Sequence, residues 1–153
     1  MKLSEIIKID NIITDLKASD KTKALEELVD ALAAARPSID KGALVKVLLE
    51  RERLGSTGIG DGVAIPHGKF RGISEPVICF GRSVKGLDFD SMDGQPVHLV
   101  FLLVAPEDSA SAHLKALARI AKILKNSSFR KLLMENTGKE TLYQAIIQDD
   151  DDF

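Results

Sequence analysis

The longest apolar run of the sequence is Leu99-Val100-Phe101-Leu102-Leu103-Val104-Ala105. A strand with one face in water alternates apolar and polar residues, whereas a strand buried on both faces reads as a continuous apolar run. The run therefore predicts a buried strand over 97–104 with helices on both faces of its sheet. It is far shorter than the roughly 20 residues that a membrane-spanning helix needs, so we do not expect a membrane-embedded protein.

Predicted helices and strands alternate on both sides of this run. Further strands are predicted over 77–84, over 63–65 and near 12–16, the last after a short helix, and the four glycines within 55–62 predict a loop. Helices are predicted from Ser19 or Asp20 to Pro37, from Asp40 to Gly55, from Ser109 or Ser111 through Leu124, over 129–134, and over 137–147 with Thr137 and Glu140 as a capping box. The alternation predicts an α/β fold, a single domain over 1–153 with a mixed β-sheet flanked by helices on both faces.

The composition narrows the class of protein. A chain of 153 residues with 44% hydrophobic content suits one domain with a sizeable core. The net charge is −2, from 21 basic and 23 acidic residues, so no nucleic-acid partner is expected. Four aspartates, Asp149 to Asp152, predict a frayed, solvated acidic tail over 149–153.

The single cysteine, Cys79, excludes an intramolecular disulfide. Its apolar neighbours predict a buried structural thiol, and a chain without disulfides fits a reducing compartment. The N-terminal residues lack the apolar segment of a secretory signal. We therefore expect a cytoplasmic protein.

Two common kinds of site fail on spacing. In the glycine-rich region, five residues separate Gly62 from Gly68-Lys69 where a phosphate-binding loop has four, and Phe70 replaces the magnesium-binding Ser or Thr. The histidines, His67, His98 and His113, do not have the spacing of a helical metal site, and the sequence has no cysteine pair. Neither a cofactor nor a metal is expected.

One histidine has an unusual local setting, Pro66-His67-Gly68. Proline restricts its own φ and favours an extended residue before it, while glycine permits close approach of a ligand or partner. The pattern favours a reactive histidine at the end of a short strand. Residue types alone leave open a loop histidine without a function.

A longer pattern surrounds this histidine. Glu52 is followed after six residues by Ile59-Gly60, and after two more by 63–68, Val-Ala-Ile-Pro-His-Gly. This pattern resembles, at every position, the signature of the fructose/mannitol-type IIA components (type-2 EIIA) of the bacterial sugar phosphotransferase system. The element order resembles that family over roughly 4–147, and 55–60 looks most like its nitrogen-regulatory branch.

The resemblance implies a phosphotransferase that acts as a phosphocarrier, without metal or nucleotide. His67 would accept the phosphoryl group on Nε2, with Arg51 and His113 as the other active-site residues, while His98 matches no functional position and is expected to be a packed or edge histidine. The donor would be a phosphorylated histidine phosphocarrier protein. The recipient would be a IIB domain in a sugar uptake system, or regulatory and transport proteins would be bound in the nitrogen-regulatory branch.

Two alternatives of other classes remain open. The first is an interaction module that keeps the fold without transferring phosphate, and the second is a hydrolase with His67 as base. For partner docking we expect an apolar centre with a charged rim, and Ile59, Val63 and Phe70 are the candidates for that centre.

Overall fold

Six strands form one mixed sheet between two layers of helices. The computed structural model describes residues 2–151. Its elements are a 3₁₀ turn at Leu3–Glu5, β1 (Ile7–Ile13), α1 (Lys21–Ala35), α2 (Lys41–Arg53), β2 (Gly58–Gly60), β3 (Val63–Ala64), β4 (His67–Phe70), β5 (Val77–Leu87), β6 (Val97–Pro106), α3 (Ala110–Ile123), α4 (Ser127–Glu135) and α5 (Lys139–Asp151). None of the helices in this part of the chain has the length and apolar character that a membrane span requires.

The strand order is β1-β5-β6-β3-β2, and β4 pairs with β6 beyond the end of β3. β5 and β6 are antiparallel, whereas β1 pairs with β5, and β3 and β4 pair with β6, in parallel. Val63 lies opposite Leu99, and His67 lies opposite Leu103. β3 and β4 therefore follow one another along the same edge of β6, and His67 is the first residue of a strand rather than the last residue of one.

β6 is buried on both faces, as its apolar run predicts. Leu99, Phe101 and Leu103 join the core under α3, α4 and α5, and the residues between them join a second core under α1 and α2. The prediction of a mixed sheet covered on both faces is confirmed. Cys79 lies in the second core, and burial raises the pKa of its thiol to about 12, which fits a structural role.

The predicted helix starts agree with the observed N-caps in most cases. The Asp20 side chain accepts a hydrogen bond from the backbone N–H of Lys23, and the Asp40 side chain accepts one from Ala43. Ser109 directly precedes α3, although its side chain makes no capping hydrogen bond. α4 begins at Ser127, two residues earlier than predicted, because Asn126 caps it.

Two segments near the N-terminal half differ from the prediction. β1 spans Ile7–Ile13 instead of 12–16, since it pairs with β5, a distant contact that local composition does not encode. The glycine-rich segment is also more than a loop, because β2 and β3 form an antiparallel hairpin. Its turn residues Gly60, Asp61 and Gly62 all have positive φ, a conformation that glycine adopts without steric cost.

The last helix is also longer than predicted, and its N-terminus is capped by different residues. It begins at Lys139, so the Thr137–Glu140 capping box does not form at its start. Instead, the Thr141 hydroxyl accepts a hydrogen bond from the Gly138 N–H, at 3.3 Å. The helix continues through Asp151, so the first three aspartates of the expected frayed tail are helical, while residues 152 and 153 lie outside the described part.

Gly68 determines how closely α2 packs on β4. A Cβ atom at this position would lie 3.0 Å from Cγ1 of Val47 and 3.4 Å from Cδ2 of Leu48. A glycine is required here for the approach of a helix of the same chain, whereas its sequence context suggested the approach of a ligand. The missing side chain brings the C-terminal turn of α2 next to the start of β4.

We expect Gly68→Val to destabilise the protein by about 1–3 kcal/mol, because overpacking forces α2 away from β4. Gly42→Ala, a glycine substitution on α2 itself, is the control, since the nearest atom to its added Cβ is 3.7 Å away. That control should stabilise by up to about 1 kcal/mol through helix propensity. Denaturant unfolding measures both changes, and a Gly68→Val variant as stable as the parent would contradict the packing argument.

Candidate functional site

His67 is held at the junction between β3 and β4. Ile65 is extended because it precedes Pro66, and the carbonyl of Pro66 accepts a hydrogen bond from Leu103 N–H at 2.9 Å. The His67 ring folds back so that its Nδ1 lies 2.9 Å from the Ile65 carbonyl oxygen. The other ring nitrogen, Nε2, is left for contacts outside the strand.

Arg51 supplies that contact from the last turn of α2. Its Nε–H donates a hydrogen bond to His67 Nε2 at 3.3 Å, and its Nη1 donates to the Gly55 carbonyl at 2.9 Å. A guanidinium is always a donor and a carbonyl always an acceptor. The Arg51 donor therefore requires an unprotonated Nε2, and the Ile65 carbonyl requires a proton on Nδ1. Neutral His67 is thus protonated on Nδ1, with the Nε2 lone pair facing Arg51.

His113 is the fourth residue of α3 and is 6% exposed. The centroids of its ring and the His67 ring are 5.4 Å apart, in an edge-on arrangement. Its Nδ1 is buried and has no hydrogen-bond partner within residues 2–151. Because an unpaired buried N–H is rarer in proteins than an unpaired acceptor, we assign the proton of neutral His113 to Nε2. That places a hydrogen-bond donor beside His67.

The two imidazoles are held in the uncharged form. Burial lowers the pKa of His67 below 6.5, and the Arg51 charge lowers it further, although the hydrogen bond with Ile65 and the charge of Glu52 act in the opposite direction. Burial also lowers the pKa of His113, as do the charge that His67 carries when protonated and the charge of Lys69. The site at neutral pH therefore combines two neutral imidazoles with a permanent guanidinium charge.

These side chains line an open cavity of about 420 Å³ between α2, β4 and α3. Its lining residues are Val47, Glu50, Arg51, Leu54, His67, Gly68, Lys69 and His113. Of these residues, Leu54 is 85% exposed. An anionic group could enter this cavity and meet positive charge and hydrogen-bond donors at its base.

The structure brings together all three residues that the sequence singled out, although they lie on α2, β4 and α3. His98 lies elsewhere on β6, with its Nδ1 2.8 Å from the Ser83 carbonyl, as expected for a packed strand histidine. Lys69 was not singled out. Its position two residues after His67, on the same face of an extended strand, was the available signal.

The expected apolar centre of a docking surface is largely wrong. Val63 is 1% exposed and Phe70 is 9% exposed, so both belong to the core, and only Ile59, at 52%, is accessible. Val63 pairs with β6, and Phe70 lies under α2. The apolar side chains that line the cavity and remain accessible are instead Leu54, which is exposed, and Val47, which is half-buried.

Comparison with known sequences gives consistent matches over nearly the whole chain. The family model for the "Phosphoenolpyruvate-dependent sugar phosphotransferase system, EIIA 2" matches residues 5–149. A nitrogen regulatory protein of Bradyrhizobium diazoefficiens is 42% identical over 146 residues, which cover 95% of each chain. The fructose-specific EIIABC component of Bacillus subtilis is 38% identical over 98% of this chain, but the chain spans only 24% of that protein's length.

Comparison with solved structures gives the same answer. The nitrogen regulatory protein IIA-Ntr of Neisseria meningitidis superposes with a TM-score of 0.87 at 34% identity, over 94% of this chain and 98% of that one. The mannitol IIA of Escherichia coli, solved in complex with phosphorylated IIB, shares the fold with a TM-score of 0.77 at 20% identity, over 94% and 99% of the two chains. Sequence and fold together establish that the chain belongs to the EIIA 2 family of the phosphoenolpyruvate-dependent sugar phosphotransferase system, a family of phosphotransfer carriers.

Proposed function

We propose that this protein is a cytoplasmic phosphocarrier that accepts a phosphoryl group on Nε2 of His67 from a phosphorylated histidine phosphocarrier protein. The observation that carries the proposal is the pair of contacts that fix the ring. The Ile65 carbonyl accepts from Nδ1–H, and Arg51 donates to Nε2. A neutral imidazole attacks through its unprotonated nitrogen, which here is the nitrogen that faces the cavity.

The transfer of the phosphoryl group to His67 needs no proton acceptor. The hydrogen bond from Arg51 to Nε2 breaks as the guanidinium turns to the phosphoryl oxygens, which frees the Nε2 lone pair. That lone pair forms a bond to phosphorus while the bond between phosphorus and the donor's imidazole breaks, and the donor ring leaves with that electron pair. Nδ1 keeps its proton throughout. The His67 ring becomes more positive when Nε2 is bonded to phosphorus, and the Ile65 carbonyl that accepts from Nδ1–H stabilises that charge.

Arg51 and His113 would act on the phosphoryl oxygens. Phosphoryl transfer passes through a loose transition state with its charge on those oxygens, so positioning and electrostatics supply most of the catalysis. Arg51 offers a fixed charge and a forked set of donors. His113 offers an Nε2–H near the positive end of the α3 dipole.

Of the two roles that the family offers, nitrogen regulation is better supported than sugar uptake. The nitrogen regulatory relative matches nearly the full length of both chains, whereas the fructose-specific relative carries this domain within a protein about four times as long. In a regulatory role the phosphorylation state itself is the signal read by partner proteins. The second candidate is a IIA of sugar uptake that passes phosphate to a IIB domain, and the mannitol IIA–IIB complex supports it at the level of the fold.

The phosphoryl donor and recipient would dock on the cavity rim. A bond between phosphorus and His67 requires the partner to cover the cavity. Leu54 and Val47 then become the apolar centre of the contact, with Glu50 and Lys69 as charged neighbours. This assignment replaces the centre expected from the sequence.

Single substitutions separate the roles of the three polar residues. His67→Ala should abolish acid-labile phosphorylation, whereas His113→Ala should still accept phosphate about ten- to a hundredfold more slowly, the effect of one lost charge-assisted hydrogen bond. Arg51→Ala should do at least as much harm, and Arg51→Lys should restore part of the rate. The measurement is a time course with the phosphorylated carrier, and His98→Ala is the control that should label normally.

Normal labelling of His67→Ala would exclude the proposed acceptor. A parent protein that takes up no phosphate would instead favour an interaction module of the same fold. Passage of the label to a IIB domain would favour the sugar-uptake alternative over a purely regulatory output.

The pH dependence follows from the lowered pKa of His67. Only the neutral ring is a nucleophile, so a lowered pKa keeps the ring competent below the ordinary histidine value of about 6.5. The rate of phosphate acceptance should be level near neutral pH and fall only as the pH drops through the lowered pKa. An NMR titration of the His67 Cε1–H gives the midpoint directly, and a midpoint at or above that of a free histidine peptide would refute the expectation.

A charged substitution at the rim tests the docking surface. Leu54→Asp should reduce kcat/KM for the phosphorylated carrier by about tenfold, mainly through KM, because a central apolar anchor contributes more than 1 kcal/mol. Leu132→Asp on α4 is the matched control, since that leucine is also exposed, at 44%, and does not line the cavity. Equal rates for the two variants would place docking elsewhere.

A further inference from the structure

A buried carboxylate lies directly behind the site. Glu52 follows Arg51 on α2 and is 7% exposed, yet it does not line the cavity. Its Oε1 accepts a hydrogen bond from the Thr57 backbone N–H at 3.0 Å, and its Oε2 accepts one from the Thr57 hydroxyl. Lys21 Nζ lies 3.1 Å from Oε1. A buried charge persists in a fold when it is paired and hydrogen-bonded in this way.

The lysine partner is itself confined. Its side chain is 13% exposed, and its ammonium group lies 5.3 Å from the centre of the Phe89 ring. Its other carboxylate neighbour, Asp90, is 3.7 Å away and 74% exposed, so Glu52 is the closer and more buried counter-ion. The ion pair therefore fixes the orientation of the Glu52 carboxylate toward Thr57.

A chain of hydrogen bonds connects this carboxylate to the His67 ring. Thr57, held by Glu52, accepts a hydrogen bond on its carbonyl from the Ile65 N–H at 3.0 Å. Ile65 in turn accepts from Nδ1 of His67 at 2.9 Å. In the sequence, Glu52 also directly follows Arg51, the residue that donates to Nε2. The hydrogen-bond chain therefore links Glu52 to the Nδ1 side of the His67 ring.

We propose that Glu52 is a positioning residue, which acts through Thr57 and the Ile65 backbone to hold His67 as the Nδ1–H tautomer with Nε2 toward the cavity. This inference rests on the proposed function, because it concerns the same histidine. The short range of phosphoryl transfer makes ring orientation important, since a displacement of about 1 Å costs up to a hundredfold in rate.

The experiment reads the tautomer in the unphosphorylated protein, through long-range proton–nitrogen NMR correlations of the imidazole rings. Glu52→Gln replaces one acceptor oxygen by an NH₂ donor, which faces either Lys21 or Thr57. Thr57→Val removes only the hydroxyl and keeps the ion pair, so it carries the test if Glu52→Gln does not fold. Thr57→Ser keeps the hydroxyl and is the rescue variant.

We expect the parent protein and Thr57→Ser to contain one His67 tautomer, Nδ1–H. In Glu52→Gln and Thr57→Val both tautomers should be populated, and phosphate acceptance should be about tenfold slower. Glu27→Gln is the matched control, because the Glu27 carboxylate also accepts backbone N–H groups, from Lys17 and Ala18, without a connection to His67. It should leave the tautomer and the rate unchanged.

Two results would overturn the proposal. In one, Glu52→Gln and Thr57→Val fold and keep the single Nδ1–H tautomer. In the other, Glu27→Gln mixes the tautomers to the same extent, which would reduce the effect to general loosening. The NMR reading requires no phosphoryl donor, so it separates a failure of this link from a failure of His67 to accept phosphate.

Discussion

The pairing of β3 and β4 with one edge of β6 is the constraint on which the site depends. β6 is buried on both faces, so packing from both helical layers fixes its place in the core. The strands that pair with β6 are therefore fixed relative to the same core. His67 lies opposite Leu103 at the point where β3 ends and β4 begins. The helices on the two faces, α2 and α3, then extend Arg51 and His113 toward it from opposite sides.

The electrostatics of the site follow from that placement. Burial favours uncharged imidazoles, and the guanidinium beside His67 adds to the effect. A neutral nucleophile next to a permanent cation suits the approach of a phosphoryl dianion, because the cation attracts the group without protonating the ring. The buried Glu52–Lys21 pair lies one layer further in, where it contributes hydrogen bonds to the backbone.

Much of the fold is readable from local sequence because local physics determines it. The run at 99–105 has no other stable environment than a doubly covered sheet, and Asp20 and Asp40 cap their helices by contacts within one turn. The position of β1 depends on pairing with a distant strand, and β2 depends on a turn with positive φ, so composition alone misplaced β1 and predicted a loop in place of β2. The solvent exposure of Val63 and Phe70 was equally hard to predict from local sequence. Both are apolar and near His67, but only the assembled sheet shows that they face inward.

His67 was identified by the spacing of a long pattern rather than by its chemistry, because Pro66-His67-Gly68 alone is compatible with an inert loop. Arg51 and His113 came from the family resemblance that this pattern carries. The central claim is that phosphorus bonds to Nε2 of His67 while Nδ1 keeps its proton on the Ile65 carbonyl. Proton–nitrogen correlations of the nitrogen-15-labelled, phosphorylated protein measure this directly. The account predicts phosphorus coupling at Nε2 and a retained Nδ1–H, and phosphorus on Nδ1, or on any other residue, would contradict it.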